Sequence, residues 1–350
     1  MASKTLTAAC LCKAVHYTLT LPTDQLPLKV HLCSCTVCRR THGAPCSFHA
    51  PLPSGIAPEF IAPSSIDNLT AYVHPNALSA RFFCTTCGCH IGDRDLDNKD
   101  WFISTALFDA NSNEGWYEIQ SHAFTHSTRD GGISSLLPMV NGRDIEIWNP
   151  DPESKESLPT ESNELLAECH CGGVSFTISR PRKEYINSPS SKKWIDPSDT
   201  SKWLALVDVC SDCRLVTGSN VIMWMFVPTD HITPRPPADL LFGSLKAYES
   251  SEGVWRTFCG TCGTTVFYSH KTRPGIVDVA TGILHAPEGV MLNNWAVWRT
   301  ARVGFVEDGL QYDSRFTRGL EEGLREWGVR MHGQSRDFAV GAETHDDVDD

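Results

Sequence analysis

Several things are scarce in this 350-residue sequence, and each scarcity excludes something. There is no run of about 18 apolar residues, so no membrane-spanning helix is expected. Basic residues are in deficit, 30 Lys and Arg against 42 Asp and Glu, a formal net charge of −12. A nucleic-acid binder needs a basic face to neutralise phosphates, and neither half of the chain supplies a basic stripe. Residues 1–150 carry 10 basic and 13 acidic side chains, and residues 151–350 carry 20 and 29. The opening MASKTLTAACLCKAV lacks the apolar core and cleavage site of a secretory signal, which points to a cytoplasmic protein with reduced thiols. Helical periodicity is rare too. One convincing amphipathic segment stands near the C-terminus, FTRGLEEGLREWGVRM, with Phe316, Leu320, Leu324 and Trp327 at helical spacing. It reads as a helix capping the second half.

What is abundant is cysteine, 15 of them. In a thiol-reducing compartment clustered cysteines serve metal binding or redox chemistry more often than disulfides. They also expose an internal repeat. The first half reads Cys10-x-Cys12, then Cys33-x-Cys35-x-x-Cys38, then Cys84-x-x-Cys87-Gly88. The second reads Cys169-x-Cys171, then Asp208-x-Cys210-x-x-Cys213, then Cys259-x-x-Cys262-Gly263. Cys38 to Cys84 and Cys213 to Cys259 are both 46 residues. The offset between copies is 159 at the first pair and 175 afterwards, so about 16 residues are inserted between Cys171 and Asp208. That insertion, RPRKEYINSPSSKKWIDPSDTSK, is rich in Pro, Ser and Lys and reads as a surface loop. NPDPESKESLPTESNE has linker composition. We place a first domain at 1–148, this linker at 149–164, a second domain at 165–335 and an acidic disordered tail at 336–350. Short runs rich in β-branched and aromatic residues, among them AVHYTLTL, SARFF, VIMWMFV and GIVDVATGI, predict a mainly β chain.

The outer cysteines of each copy, Cys10, Cys12, Cys84 and Cys87, and Cys169, Cys171, Cys259 and Cys262, each offer four thiolates. Four soft ligands in a closed tetrahedral set suit a structural Zn²⁺. A redox Cys-x-x-Cys would open a helix in a βαβ unit, and no such unit is seen. The middle trio Cys33, Cys35 and Cys38 supplies three ligands and leaves a fourth position, the layout of a catalytic zinc. Three thiolates make a weak Lewis acid that still binds a further thiol well. His31, His42 or Cys46 could instead close the site and make it structural. Arg39 and Arg40 follow directly and could clamp a carboxylate of a thiol such as glutathione, or simply be solvated. His122 and His126 could serve in acid–base work or sit in a turn. In the second copy Asp208 replaces the first cysteine, a harder ligand, and Arg214–Leu215 stands where the first has Arg39–Arg40. The site is thus either a modified zinc centre or a degenerate one, and we place activity in the first half. Cys46 and Cys89 have no counterparts and are expected to pack as free thiols.

The order CxC, CxCxxCRR and FCxxCG, with CHCGGVSFTI and CSCTVCRRTHG as its best stretches, resembles the glutathione-dependent formaldehyde-activating enzyme family, which includes the centromere protein V group. The resemblance covers most of 6–130 and roughly 165–300. It implies two tandem Mss4-like domains of small coiled antiparallel sheets, with a structural zinc on each outer set and one or two labile zincs on the middle sets. It also implies a carbon–sulfur lyase joining or releasing formaldehyde and glutathione as S-hydroxymethylglutathione, with Cys33, Cys35 and Cys38 catalytic. Lys13 stands where the family has a glycine. Two alternatives accompany this expectation: a non-enzymatic zinc-stabilised binding module, and a tailoring lyase with a different thiol substrate.

Overall fold

A computed structural model describes residues 2–109, 115–150 and 162–340. The chain is mainly β, as expected, and each half repeats one plan. A small sheet begins each half, built on Ser3–Ala9 with His16–Pro22, and on Glu164–Glu168 with Ser175–Ser179. In His16–Pro22 the alternate residues Tyr17, Leu19 and Leu21 are fully buried, the two-residue period of a strand with one covered face.

A large sheet follows, eight strands in the first half and seven in the second. Its pairing is antiparallel except at one side. There Leu28–Cys33 pairs in parallel with Tyr117–Ala123, and Trp203–Asp208 with Ala296–Trp298. The strand Ile222–Pro228 is buried at every position because its sheet is covered on both faces. Met223, Met225 and Val227 join a core cluster that runs through both halves. Ile222, Trp224 and Phe226 belong to a separate cluster on the other face.

The halves dock through reciprocal contacts. Gly43 ends the helix Thr36–His42 at φ 73°, and its carbonyl accepts from the Gly282 amide at 3.2 Å. Its counterpart Gly218 ends Ser211–Thr217 at φ 74° and accepts from Ser104 Oγ at 2.8 Å. The Leu11 amide bonds Leu215 O at 3.0 Å, and the His170 amide bonds Arg40 O at 3.2 Å. A Cβ on Gly88 would lie 2.5 Å from the Phe258 ring, and one on Gly263 would lie 2.6 Å from the Phe83 ring. Such a residue-for-residue exchange is the signature of a two-fold interface, here made within one chain.

Three elements differ from expectation. The C-terminal helix is longer, Val306–His332, and is interrupted at Asp313 (φ −141°, ψ 86°). Phe316, Leu320, Leu324 and Trp327 are buried, but the helix straddles both halves. Phe316 meets Phe48 edge-on at 5.3 Å, and the Tyr117 hydroxyl donates to Asp313 Oδ2 at 2.6 Å, whereas Gly328 abuts Thr300. The insertion is folded rather than a loop, with a short helix Lys183–Ile186 and Trp194 buried 5.5 Å from Phe226. Residues 336–340, assigned to the tail, pack on the second half: the Arg336 amide bonds Thr300 Oγ1 at 2.9 Å and Val340 is buried. Apolar Phe338 and Val340 find the second cluster there. Most of the linker, 151–161, and the acidic segment 341–350 lie outside the described residues. No helix among the described residues is long and apolar enough to cross a membrane.

Candidate metal centres

The outer cysteines converge in both halves. The sulfurs of Cys10, Cys12, Cys84 and Cys87 all lie within 4.8 Å of one another, and so do those of Cys169, Cys171, Cys259 and Cys262. The Cys10–Cys12 and Cys12–Cys84 contacts are 3.4 and 3.6 Å, and Cys169–Cys171 and Cys171–Cys259 are 3.6 and 3.5 Å. These are far longer than a disulfide. Four sulfurs each about 2.3 Å from a tetrahedral metal stand ~3.8 Å apart, so the donor sets fit a zinc held by four thiolates. Two turns bring them together. The chain reverses after each first pair at Gly172 (φ 72°) and, in the first half, at Lys13 (φ 59°). The lysine thus keeps the left-handed turn at a cost of ~1 kcal/mol. Gly88 and Gly263, at φ 82° and 79°, close the second turn.

Each middle trio is assembled by a strand running into a helix. Cys33 ends the strand Leu28–Cys33, Cys35 is the N-cap of Thr36–His42, and Cys38 lies in its first turn. Asp208, Cys210 and Cys213 occupy the same places on Trp203–Asp208 and Ser211–Thr217. Both trios bring three ligand atoms within 4.8 Å. Hydrogen bonds from Cys33, then from Cys38, hold the Cys35 thiol well below its ordinary range against the cost of burial. Burial pushes the Asp208 carboxyl up to about 6, although its Oδ1 accepts the Cys210 amide at 2.7 Å.

Sequence reading missed a buried arginine at each trio. Arg81 Nη2 donates to Cys38 Sγ at 3.7 Å, and Arg256 Nη1 to Cys213 Sγ at 3.4 Å. The signal was present, for each sits 43 residues after the third ligand, as R-F-F-C and R-T-F-C. In the first half Arg81 also pairs with Asp93 at 2.8 Å, Asp93 with His49 Nδ1 at 3.1 Å, and His49 with His42 at 3.3 Å. Burial alone would raise the Asp93 carboxyl, but Arg81 and His49 outweigh it and hold it well below the usual range.

The other candidates lie elsewhere. Arg39 is buried, donating to Ser34 O at 2.9 Å and Ser127 O at 3.1 Å, and Arg40 contacts His285 Nδ1 at 3.1 Å. Both line a cavity of about 260 Å³ between the halves, together with Arg129, and none of the trio's cysteines lines it. The arginines and the trio therefore do not share one cavity. His122 Nε2 bonds Leu137 O at 2.7 Å, a buried structural role, and His126 sits in the turn Thr125–Thr128. His42 is drawn into the Asp93 chain, and His31 Nδ1 meets Ser121 Oγ at 2.9 Å. Neither joins the ligand cluster. Cys46 and Cys89 are fully buried free thiols, as expected. A second cavity, about 300 Å³, opens over Asp208, Cys210 and Cys213.

The model of the glutathione-dependent formaldehyde-activating enzyme family matches residues 5–127 and again 198–300, well over half the chain. The protein belongs to this family. The first match spans all seven clustered cysteines of the first half. The second spans Asp208, Cys210, Cys213, Cys259 and Cys262 but begins after Cys169 and Cys171, which the fold itself returns to their partners. The two matches make the chain a tandem duplication of the family's domain. No curated protein and no solved structure matches it.

Proposed function

We propose that this protein is a zinc-dependent carbon–sulfur lyase acting on a thiol or thiol adduct of the S-hydroxymethylglutathione type, in a thiol-reducing cytoplasm. The observation that supports it is the middle trio, in which a strand end, a helix cap and a first helical turn converge three donors, one fewer than a closed tetrahedral set. The outer sets would hold structural zinc in both halves. Zinc on Cys33, Cys35 and Cys38 would supply an anchor that keeps a substrate sulfur as thiolate. In the reaction this sulfur bonds the carbonyl carbon of formaldehyde and the thiol proton ends on the carbonyl oxygen; the reverse restores both. Arg81, buried beside Cys38, opposes the negative charge the cysteines concentrate. Arg39 is committed to backbone carbonyls and Arg40 contacts His285 in a cavity apart from the trio, so neither is assigned to a substrate carboxylate.

Metal content and turnover of S-hydroxymethylglutathione, measured together on the wild type and Cys35→Ser, test this reading. We expect the variant to lose one zinc per chain and at least ~100-fold in rate. Metal loss with unchanged turnover would end the proposal. Full zinc occupancy with no turnover of any thiol adduct would favour a binding module.

A further inference from the structure

The duplicated halves share their metal-ligand frame but diverge in what surrounds it. Cross-strand partners make the comparison position by position. In the first half Cys33 pairs with Ser47 and Arg81 with Asp93; in the second Asp208 pairs with Ile222 and Arg256 with Tyr268. On that register His49 corresponds to Trp224, Pro51 to Phe226, and Asp93 to Tyr268. The arginine is kept, Arg81 as Arg256, but its polar neighbours Asp93 and His49 are replaced by rings in the second half.

Those rings wall the 300 Å³ cavity above Asp208, Cys210 and Cys213. Trp224 and Phe226 come from Ile222–Pro228, Tyr268 from Thr265–His270 two strands across the sheet, and Phe305, 40% exposed, lines the cavity too. The two arginines of the lining already have partners. Arg273 holds both oxygens of Asp278 at 2.8 and 3.0 Å. Arg256 faces Cys213 Sγ and Ser250 Oγ at 3.4 and 3.1 Å, with Asp212 at 3.9 Å. Asp308 adds a further carboxylate to the lining. A ligand with two carboxylates, such as glutathione, would meet more acids than bases here. An uncharged ring would meet aromatic faces, which attract it beyond simple burial in offset or edge-on arrangements.

We propose that the second half carries a binding site for a small aromatic thiol, uncharged apart from its sulfur, and that this site is not a second glutathione site. Placement of the sulfur over Asp208, Cys210 and Cys213 rests on the metal reading above; the preference for a ring rests on the wall alone. The volume, at the small end of ligand pockets, suits a single ring with a short arm.

Phenylmethanethiol, benzyl alcohol and glutathione can be titrated calorimetrically into the full-length zinc-loaded protein, its Phe305→Ala variant and its Trp224→Leu variant. We expect Phe305→Ala to weaken phenylmethanethiol by ~10-fold, Trp224→Leu to weaken it at least as much, and both to leave glutathione unchanged. Phe305 is partly exposed, so its variant keeps the test valid if Trp224→Leu fails to fold. Benzyl alcohol binding that shows the same two losses would uphold the ring site independently of the metal. Phenylmethanethiol binding unaffected by Phe305→Ala, or glutathione weakened equally, would overturn the proposal. Ring binding with no advantage for the thiol over the alcohol would overturn its sulfur part, and Cys35→Ser turnover would still judge the function of the first half separately.

Discussion

Arg81 is almost wholly buried and touches the Cys38 sulfur and the Asp93 carboxylate. Removing one member of a buried ion pair leaves the other charged and unsolvated. Arg81→Gln should therefore cost ~3 kcal/mol in chemical denaturation, and Arg81→Gln/Asp93→Asn should recover part of it. A loss in the double variant equal to the sum of the Arg81→Gln and Asp93→Asn losses would show that the pair carries no coupling. The ligands themselves were legible in the sequence, because cysteine is chemically distinctive and its spacing repeats. The chain from Arg81 through Asp93 and His49 to His42 was not. Its members come from separate strands and a helix, and only the folded sheet brings them into line.

At the scale of elements, the glycines that end the two short helices do double duty. Gly43 and Gly218 take left-handed φ, and a Cβ on either would lie 2.2 or 2.1 Å from a backbone oxygen of the other half. Gly333 ends the long helix at φ 76° with nothing within 4 Å. Gly43→Ala and Gly218→Ala should each cost more than about 2 kcal/mol, and Gly333→Ala only about 1 kcal/mol. Similar melting temperatures for all three would mean that the helix ends do not set the docking. Strand positions were readable from β-branched and aromatic runs, but pattern cannot say what covers a face. Hence VIMWMFV was recognisable as a strand, while its division between two cores was not. The long helix showed its apolar stripe in Phe316, Leu320, Leu324 and Trp327, yet nothing in that stripe names Phe48 as its partner.

Across the whole molecule, the docking of the halves buries histidines. Burial pushes His90, stacked on His42 at 4.1 Å, down to about 3, and burial followed by the Arg40 charge pushes His285 down to about 4. Both are neutral in the fold, whereas an unfolded chain protonates them below about 6.5. Their stabilising effect is complete above that pH and is lost as pH falls towards 3–4. His90 alone should remove about 2 kcal/mol by pH 5. Melting temperatures between pH 7.5 and 5, with metal content followed in parallel, should fall less steeply for His90→Phe than for the wild type. Identical slopes would rule His90 out as a source of acid sensitivity.

The helix that crosses both halves also orders events in time. Phe48 is covered by Phe316, made 268 residues later. At ~5–20 residues per second a ribosome takes roughly 10–50 s to supply that cover. Through this interval the nascent first half lacks the ring that covers Phe48 in the finished fold. A chain released before Val306 would keep Phe48 without that cover, so a covered Phe48 certifies that synthesis has passed the long helix.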